Sequence, residues 1–142
     1  MLADIFTKLY ISSTFHLGES IPLIKNVFHI TYHLNSGAAF SMFQDQRLFL
    51  SVLSAVIIAG IIVYLIIKKP KEKLALLAFT LVISGATGNL IDRILKGRVV
   101  DFLDFRLINF PVFNIADCFV VIGAGLLMLH ILKSEEPYNE KK

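Results

Sequence analysis

Residues 48–67 read LFLSVLSAVIIAGIIVYLII, twenty positions without a charge. At 1.5 Å of helical rise per residue such a run spans about 30 Å, the thickness of a bilayer's hydrocarbon core, so it reads as a membrane-crossing helix. Two further runs flank it on the C-terminal side. Residues 74–91 are uncharged and lead into Asp92-Arg93, and residues 110–132 are interrupted only by Asp117. Both read as further spans. A chain of 142 residues with mean hydropathy +0.71, 56% hydrophobic and 18% charged residues is too apolar for a water-soluble domain and too short for two domains. One integral membrane domain over residues 1–142 is expected. Gly85, Gly88, Gly123 and Gly125 fall inside the spans, where small residues let helix backbones approach closely.

Charge placement orients the chain. Lys68, Lys69, Lys71 and Lys73 lie together between the first two spans, and Lys141 and Lys142 close a polar tail over 134–142. By the positive-inside rule these mark the cytoplasmic side, which leaves the segment from Arg93 to Phe110 on the outer side. Nucleic acid is excluded as a partner, because the basic residues flank apolar spans instead of forming a stripe with aromatics. One cysteine, Cys118, cannot form an internal disulfide, and His16, His29, His33 and His130 show no His-Glu-x-x-His spacing, so no metal site is expected.

The N-terminal third has a different texture. Residues 27–34 alternate Phe28, Ile30, Tyr32 and Leu34 with His29, Thr31 and His33, a period of two that argues a half-buried strand. Asn35-Ser36-Gly37 reads as a turn and residues 18–22 as a loop. Residues 1–11 carry Asp4 and Lys8 four apart on a short helical pattern, too short to cross a bilayer. The fold expected is a membrane all-α bundle of three spans and a truncated first helix, with a small extracytoplasmic β element.

Asp101 and Asp117 hold the chemistry. A carboxylate at membrane depth costs roughly 2.5–3.5 kcal/mol on insertion scales, so it marks a functional site with a partner to be found. Counted back from the cytoplasmic end of its span, Asp117 lies towards the outer face, and Asp101 approaches from the loop on that same side. Each supplies the other's partner. Two carboxyl groups sharing a site cannot easily both ionise, which leaves one acid and one base beside each other. The plainer alternatives are a helix cap or a pairing with a nearby Arg for Asp117 and Asp101, a turn role for Asn35, an interfacial anchor for Arg93 and salt-bridged loop positions for Asp92 and Asp104.

Four blocks carry a family resemblance: Asp4-Ile5-Phe6-Thr7-Lys8; Asn35-Ser36-Gly37-Ala38-Ala39-Phe40; Gly88-Asn89-Leu90-Ile91-Asp92-Arg93 with Gly97 and Val99-Val100-Asp101-Phe102; and Phe113-Asn114-Ile115-Ala116-Asp117. In order and spacing they resemble the successive motifs of bacterial lipoprotein signal peptidase, signal peptidase II. The resemblance implies an intramembrane aspartic protease of the bacterial inner membrane that cleaves lipid-modified prolipoproteins just before a diacylglyceryl cysteine. It implies Asp101 and Asp117 as the catalytic dyad, with Asn35, Asn89, Arg93 and Asn114 lining the site. Asp4, Lys8, Gly37 and Gly88 are implied as structural positions. Prolipoprotein and membrane lipid are the implied partners, the chain acting as a monomer without a cofactor and with its site towards the extracytoplasmic face. Only Met1-Leu2-Ala3 precede Asp4, where family members carry a longer first helix. A non-catalytic membrane subunit would also place Asp in lipid, and another class of intramembrane aspartic protease would bring a Gly-x-Gly-Asp block, which this sequence lacks. The strand over 27–34 and the turn at Asn35-Ser36-Gly37 are expected to clasp a substrate peptide beside the site by edge pairing.

Overall fold

The computed structural model describes residues 1–38 and 42–134. In chain order these form α1 (Leu2–Thr14), β1 (Ser20–Ile24), β2 (Phe28–Asn35), α2 (Arg47–Lys68), α3 (Lys73–Lys96), β3 (Val99–Phe105), a 3₁₀ turn (Arg106–Ile108) and α4 (Ile115–Ser134). Among the described residues three helices are long and apolar enough to cross a membrane, with mean hydropathies of 2.8, 1.9 and 2.2 for α2, α3 and α4. Most of their apolar side chains point outwards, Leu48, Val56, Ile66 and Val121 among them. In lipid this is the expected inversion, since acyl chains solvate leucine as well as a protein core does.

The spans differ from the apolar runs at their ends. α3 continues past Ile91 to Lys96, because a helix end needs no apolar residues and Asp92 pairs with Lys96 one turn on. It stops at Gly97, whose φ of 78° is the left-handed cap geometry that glycine adopts without strain. α4 begins at Ile115 rather than at Phe110. The polar tail expected over 134–142 lies outside the described residues except for Ser134, which ends α4.

α3 and α4 pack closely, and two glycines allow it. A Cβ on Gly85 would collide with the carbonyl oxygen of Ala116 and approach Val120 Cγ2 to 2.8 Å, while one on Gly123 would lie 2.8 Å from the carbonyl oxygen of Ala78. Gly125, expected to serve packing, has nothing within 4 Å of its Cβ position. We therefore expect Gly85→Val to lower the detergent melting temperature by several degrees, from an overpacking cost of about 1–3 kcal/mol, and Gly125→Val to leave it unchanged within error. Equal melting temperatures for the two variants would contradict this packing.

The β element is a three-stranded antiparallel sheet in the order β1-β2-β3. Residues expected to be loop, Ser20-Ile21-Pro22, are instead its edge strand β1. Pro22 pairs opposite His29 and the register slips between Pro22 and Ile24, which is where a strand tolerates proline. Asp101, expected in a loop, lies on β3 opposite His33. Between the pairs Ile30–Leu103 and His33–Asp101 the register slips again, a bulge directly beside Asp101. Ile11 of α1 covers the sheet, packed with Val100 and Phe102 and joined by Phe15, Ile30 and Leu34. That small core fixes β3, and with it Asp101, against the ends of the membrane helices.

Candidate active site

The entrance of α4 is assembled from three other segments. The first N–H groups of any helix lack intrahelical partners. Here Asn114, immediately before α4, accepts the Asp117 N–H at 2.9 Å through Oδ1, and Asp117 Oδ2 accepts the Asn114 N–H at 3.2 Å. This reciprocal pair is a capping box built from Asn-x-x-Asp. The Ala116 N–H between them donates to Asp4 Oδ1 of α1 at 2.8 Å. Asp4 reaches that far because residue 88 is glycine: a Cβ there would stand 2.7 Å from Asp4 Oδ2 and 3.3 Å from Ala116 Cβ.

Behind this entrance sits a buried cation. Lys8, 2% exposed, places Nζ 2.9 Å from Asp4 Oδ2, 3.1 Å from Asp92 Oδ2 and 3.0 Å from Asn89 Oδ1. Asn89 Oδ1 also accepts from Asn114 Nδ2 at 3.1 Å. An ammonium can only donate, so the Asn89 amide must turn its oxygen to Lys8 and its NH2 the other way. That NH2 donates to Asp117 Oδ1 at 2.7 Å. Lys8 and Asn114 together set which way round Asn89 faces Asp117, and Lys8 does so without touching Asp117 itself.

Asp101 meets the same group from the sheet. Its Oδ1 accepts from Asn114 Nδ2 at 2.6 Å and its Oδ2 from Asn35 Nδ2 at 3.0 Å. Asn114, fully buried, therefore binds Asp101 with its side chain and Asp117 with both backbone and side chain. Burial, reinforced by the nearby charge of Asp117, pushes Asp101 up to about 7, against the pull of the Asn35 and Asn114 hydrogen bonds. Asn35 Oδ1 accepts the Gly37 N–H at 2.8 Å, and Arg93 Nη2 donates to the Gly37 carbonyl at 3.0 Å. Arg93 also lies in the electrostatic field of Asp117, Asp101 and Asp92.

Every site position expected from sequence thus enters one connected network. The plainer roles turn out to be additions to it. Asp117 does cap α4, and through its other oxygen it joins Asn89; Asn35 does serve the turn, and it also holds Asp101. Arg93 ties α3 to Gly37 instead of standing as a lone interfacial anchor. Asp92 is not a loop residue: it is buried on α3, pairs with Lys8 and Lys96, and accepts the Val100 N–H at 3.3 Å, which anchors the start of β3. Asp104 is on β3, bound by Thr31 at 2.6 Å and Arg106 at 2.8 Å. Sequence reasoning missed the role of Asp92, though its spacing of three from Asn89 and four from Lys96 puts all three near one helix face. The expected edge pairing is blocked along Phe28–Thr31 of β2, where β1 takes one edge and β3 the other.

A family model for signal peptidase (SPase) II matches residues 1–133. The chain is 51% identical over 128 residues to a lipoprotein signal peptidase of Brevibacillus brevis, covering 90% of this chain and 86% of that one. It is 45% identical over 136 residues to a lipoprotein signal peptidase of Halothermothrix orenii, covering 96% and 92%. Two bacterial membrane enzyme structures obtained by the in meso method at 2.3 and 1.9 Å superpose with TM-scores of 0.93 and 0.84 at 34% identity. The first alignment covers 99% of this chain and 87% of that structure, the second 93% and 86%. Matched over nearly its whole length in sequence and in fold, the chain belongs to the signal peptidase II family of lipoprotein signal peptidases, which are aspartic proteases.

Proposed function

We propose that Asp101 and Asp117 are the catalytic dyad and that they cleave the peptide bond just before a diacylglyceryl-modified cysteine in prolipoproteins. The observation that carries this is the bridging by Asn114, which binds both carboxyl groups at once. Asp101, pushed up to about 7, still carries the proton in about half of the molecules at neutral pH, and in that form it polarises the scissile carbonyl. Asp117 takes a proton from the water that attacks it. The tetrahedral intermediate collapses when the departing amine receives a proton from the dyad, returning the pair to one shared proton. No metal or covalent adduct enters these steps. Asn35, Asn89 and Asn114 hold the two carboxyl groups in register, and Arg93 steadies the Gly37 turn beside them.

The dyad needs one proton, so cleavage falls as pH rises through about 7, by about tenfold per unit once Asp101 is ionised. A pH profile of kcat in detergent tests this. A rate that is flat or rising between neutral and alkaline pH would exclude the assignment.

Position supports the substrate class. Asp117 lies in the first turn of a membrane-length helix and Asp101 on a strand outside the spans, so the pair sits at one end of the bundle, at the level of the interface. The lysine-rich connection between α2 and α3 lies at the other end. By the positive-inside rule the dyad then faces the extracytoplasmic side of the bacterial inner membrane. A substrate anchored by its own acyl chains presents its scissile bond at that fixed depth, which converts binding into positioning. Diacylglyceryl-modified precursor should be cut at least about 10²-fold faster than the unmodified chain by a monomeric enzyme. A gel-shift assay on both forms is the test, and equal rates would point to a general intramembrane peptidase.

A further inference from the structure

At the end of the bundle away from the carboxyl groups lies a recess of about 440 Å³. Tyr64 and Lys68 of α2, Lys69 and Lys71 of the α2–α3 connection, and His130 of α4 line it, with Glu72 the one acid among them. None of these three lysines forms a salt bridge among the described residues. Local helix electrostatics does not account for them all. Lys68 suits the C-terminal end of α2, but Lys71 and Lys73 flank Glu72 at the start of α3, where the helix dipole disfavours cations and one acid faces two lysines. Lys69 occupies a left-handed cap position, φ 47°, where glycine is the unstrained choice. The positive-inside rule places lysines on this side, and here three of them are exposed around one recess, where together they can face an anion.

The surroundings say which kind. Tyr64 combines an apolar ring, packed 5.3 Å from Phe79, with a hydroxyl, the pairing that places tyrosine at the level of lipid headgroups. Ile66 and Ile67 beside Lys68, and Leu129 beside His130, are exposed apolar side chains of lipid-facing helices. α2 is the least buried of the three spans, at 6% of its window against 28% for α3. A group bound between Tyr64 and His130 would tie α2 to α4.

We propose that this recess binds the headgroup of an anionic phospholipid, its phosphodiester held by Lys68, Lys69 and Lys71 and its acyl chains lying along α2 and α4. The volume suits a headgroup with a short stretch of glycerol. The lipid serves as a clamp on α2 and is separate from the substrate's own diacylglyceryl group, which is handled at the opposite end.

The test is thermal unfolding of the full chain in phosphatidylcholine micelles, with and without phosphatidylglycerol. Phosphatidylglycerol should raise the melting temperature by about 4–6 °C, the shift given by a ligand near ten times its Kd in a chain of this size. Lys69→Gln/Lys71→Gln should lose most of that shift. Lys73→Gln/Lys133→Gln, which removes the same charge outside the recess, should retain it. Tyr64→Phe/His130→Leu leaves the loop charge that directs insertion intact and should also weaken the shift. No shift in the unaltered chain, an equal loss in both lysine pairs, or full reproduction of the shift by inorganic phosphate would each overturn the proposal. The last would assign the recess to a soluble anion.

Discussion

Asp101→Asn and Asp117→Asn should each reduce kcat for prolipoprotein cleavage by at least about 10³-fold, with the protein still inserted and folded. An amide matches the carboxyl group in size but neither accepts a proton from water nor carries one to the carbonyl. Asp101→Asn should also change how stability depends on pH. Asp101 titrates near 7 in the folded protein against 3.8 without the fold's burial, so folding opposes its ionisation. Stability is therefore unaffected by this group below about pH 4 and is lost progressively as pH rises from there to about 7. At pH 8 that penalty is on the order of 4 kcal/mol, and the hydrogen bond that an amide forfeits to Asn35 or Asn114 is worth only about 1–2 kcal/mol. Asp101→Asn should melt several degrees higher than the unaltered chain at pH 8 and show no gain at pH 4. Asp117→Asn disturbs the capping box and the Asn89 contact, a loss of about 1 kcal/mol in those contacts. Near-normal turnover in either variant would remove the dyad, whatever the melting temperatures show.

Lys8→Met should be the most destabilising single change in the chain. Lys8 pairs with two buried carboxylates, and taking away the cation leaves Asp4 and Asp92 without it. Removing one partner of a buried pair costs about 3–5 kcal/mol, because the remaining charge is stranded in low dielectric. Asp92 keeps Lys96, so the stranded group is Asp4. Lys8→Met/Asp4→Asn should therefore recover part of the loss, since the asparagine oxygen can still accept the Ala116 N–H. A double variant no more stable than Lys8→Met would show that the pair is not what Lys8 contributes. Activity carries a second signature. Without Lys8 the Asn89 amide is held only through Asn114 and Asp117, so the folded fraction of Lys8→Met should lose kcat, while KM changes less.

How much of this was legible in the sequence varied with the range of the forces involved. A run such as residues 48–67 declares a membrane helix by itself, because the cost of burying backbone polar groups in lipid is met within the segment. The alternation over residues 27–34 likewise revealed β2, although the neighbouring β1 was hidden, since Pro22 removes the usual strand signal and is tolerated only because β1 turned out to be an edge. The ends of α3 and α4 were misplaced where apolarity and helicity part company, at Asp92 to Lys96 and at Phe110 to Asn114.

The residue types of the site were readable too, because a carboxylate or an asparagine near lipid asks for a partner. What the chain alone did not contain was the pairing. Asn35 binds Asp101 across 66 positions, Lys8 binds Asn89 across 81, and Asp4 caps Ala116 across 112. None of these contacts has a local signature. They form only when Gly85 and Gly88 let α3 approach α4 and α1 closely and the small core on Ile11 sets β3 above the helix ends. Hydrophobic length is a one-dimensional property and survives in the sequence, whereas hydrogen-bond partnership depends on direction and distance to within a few tenths of an ångström, which only the packed structure supplies.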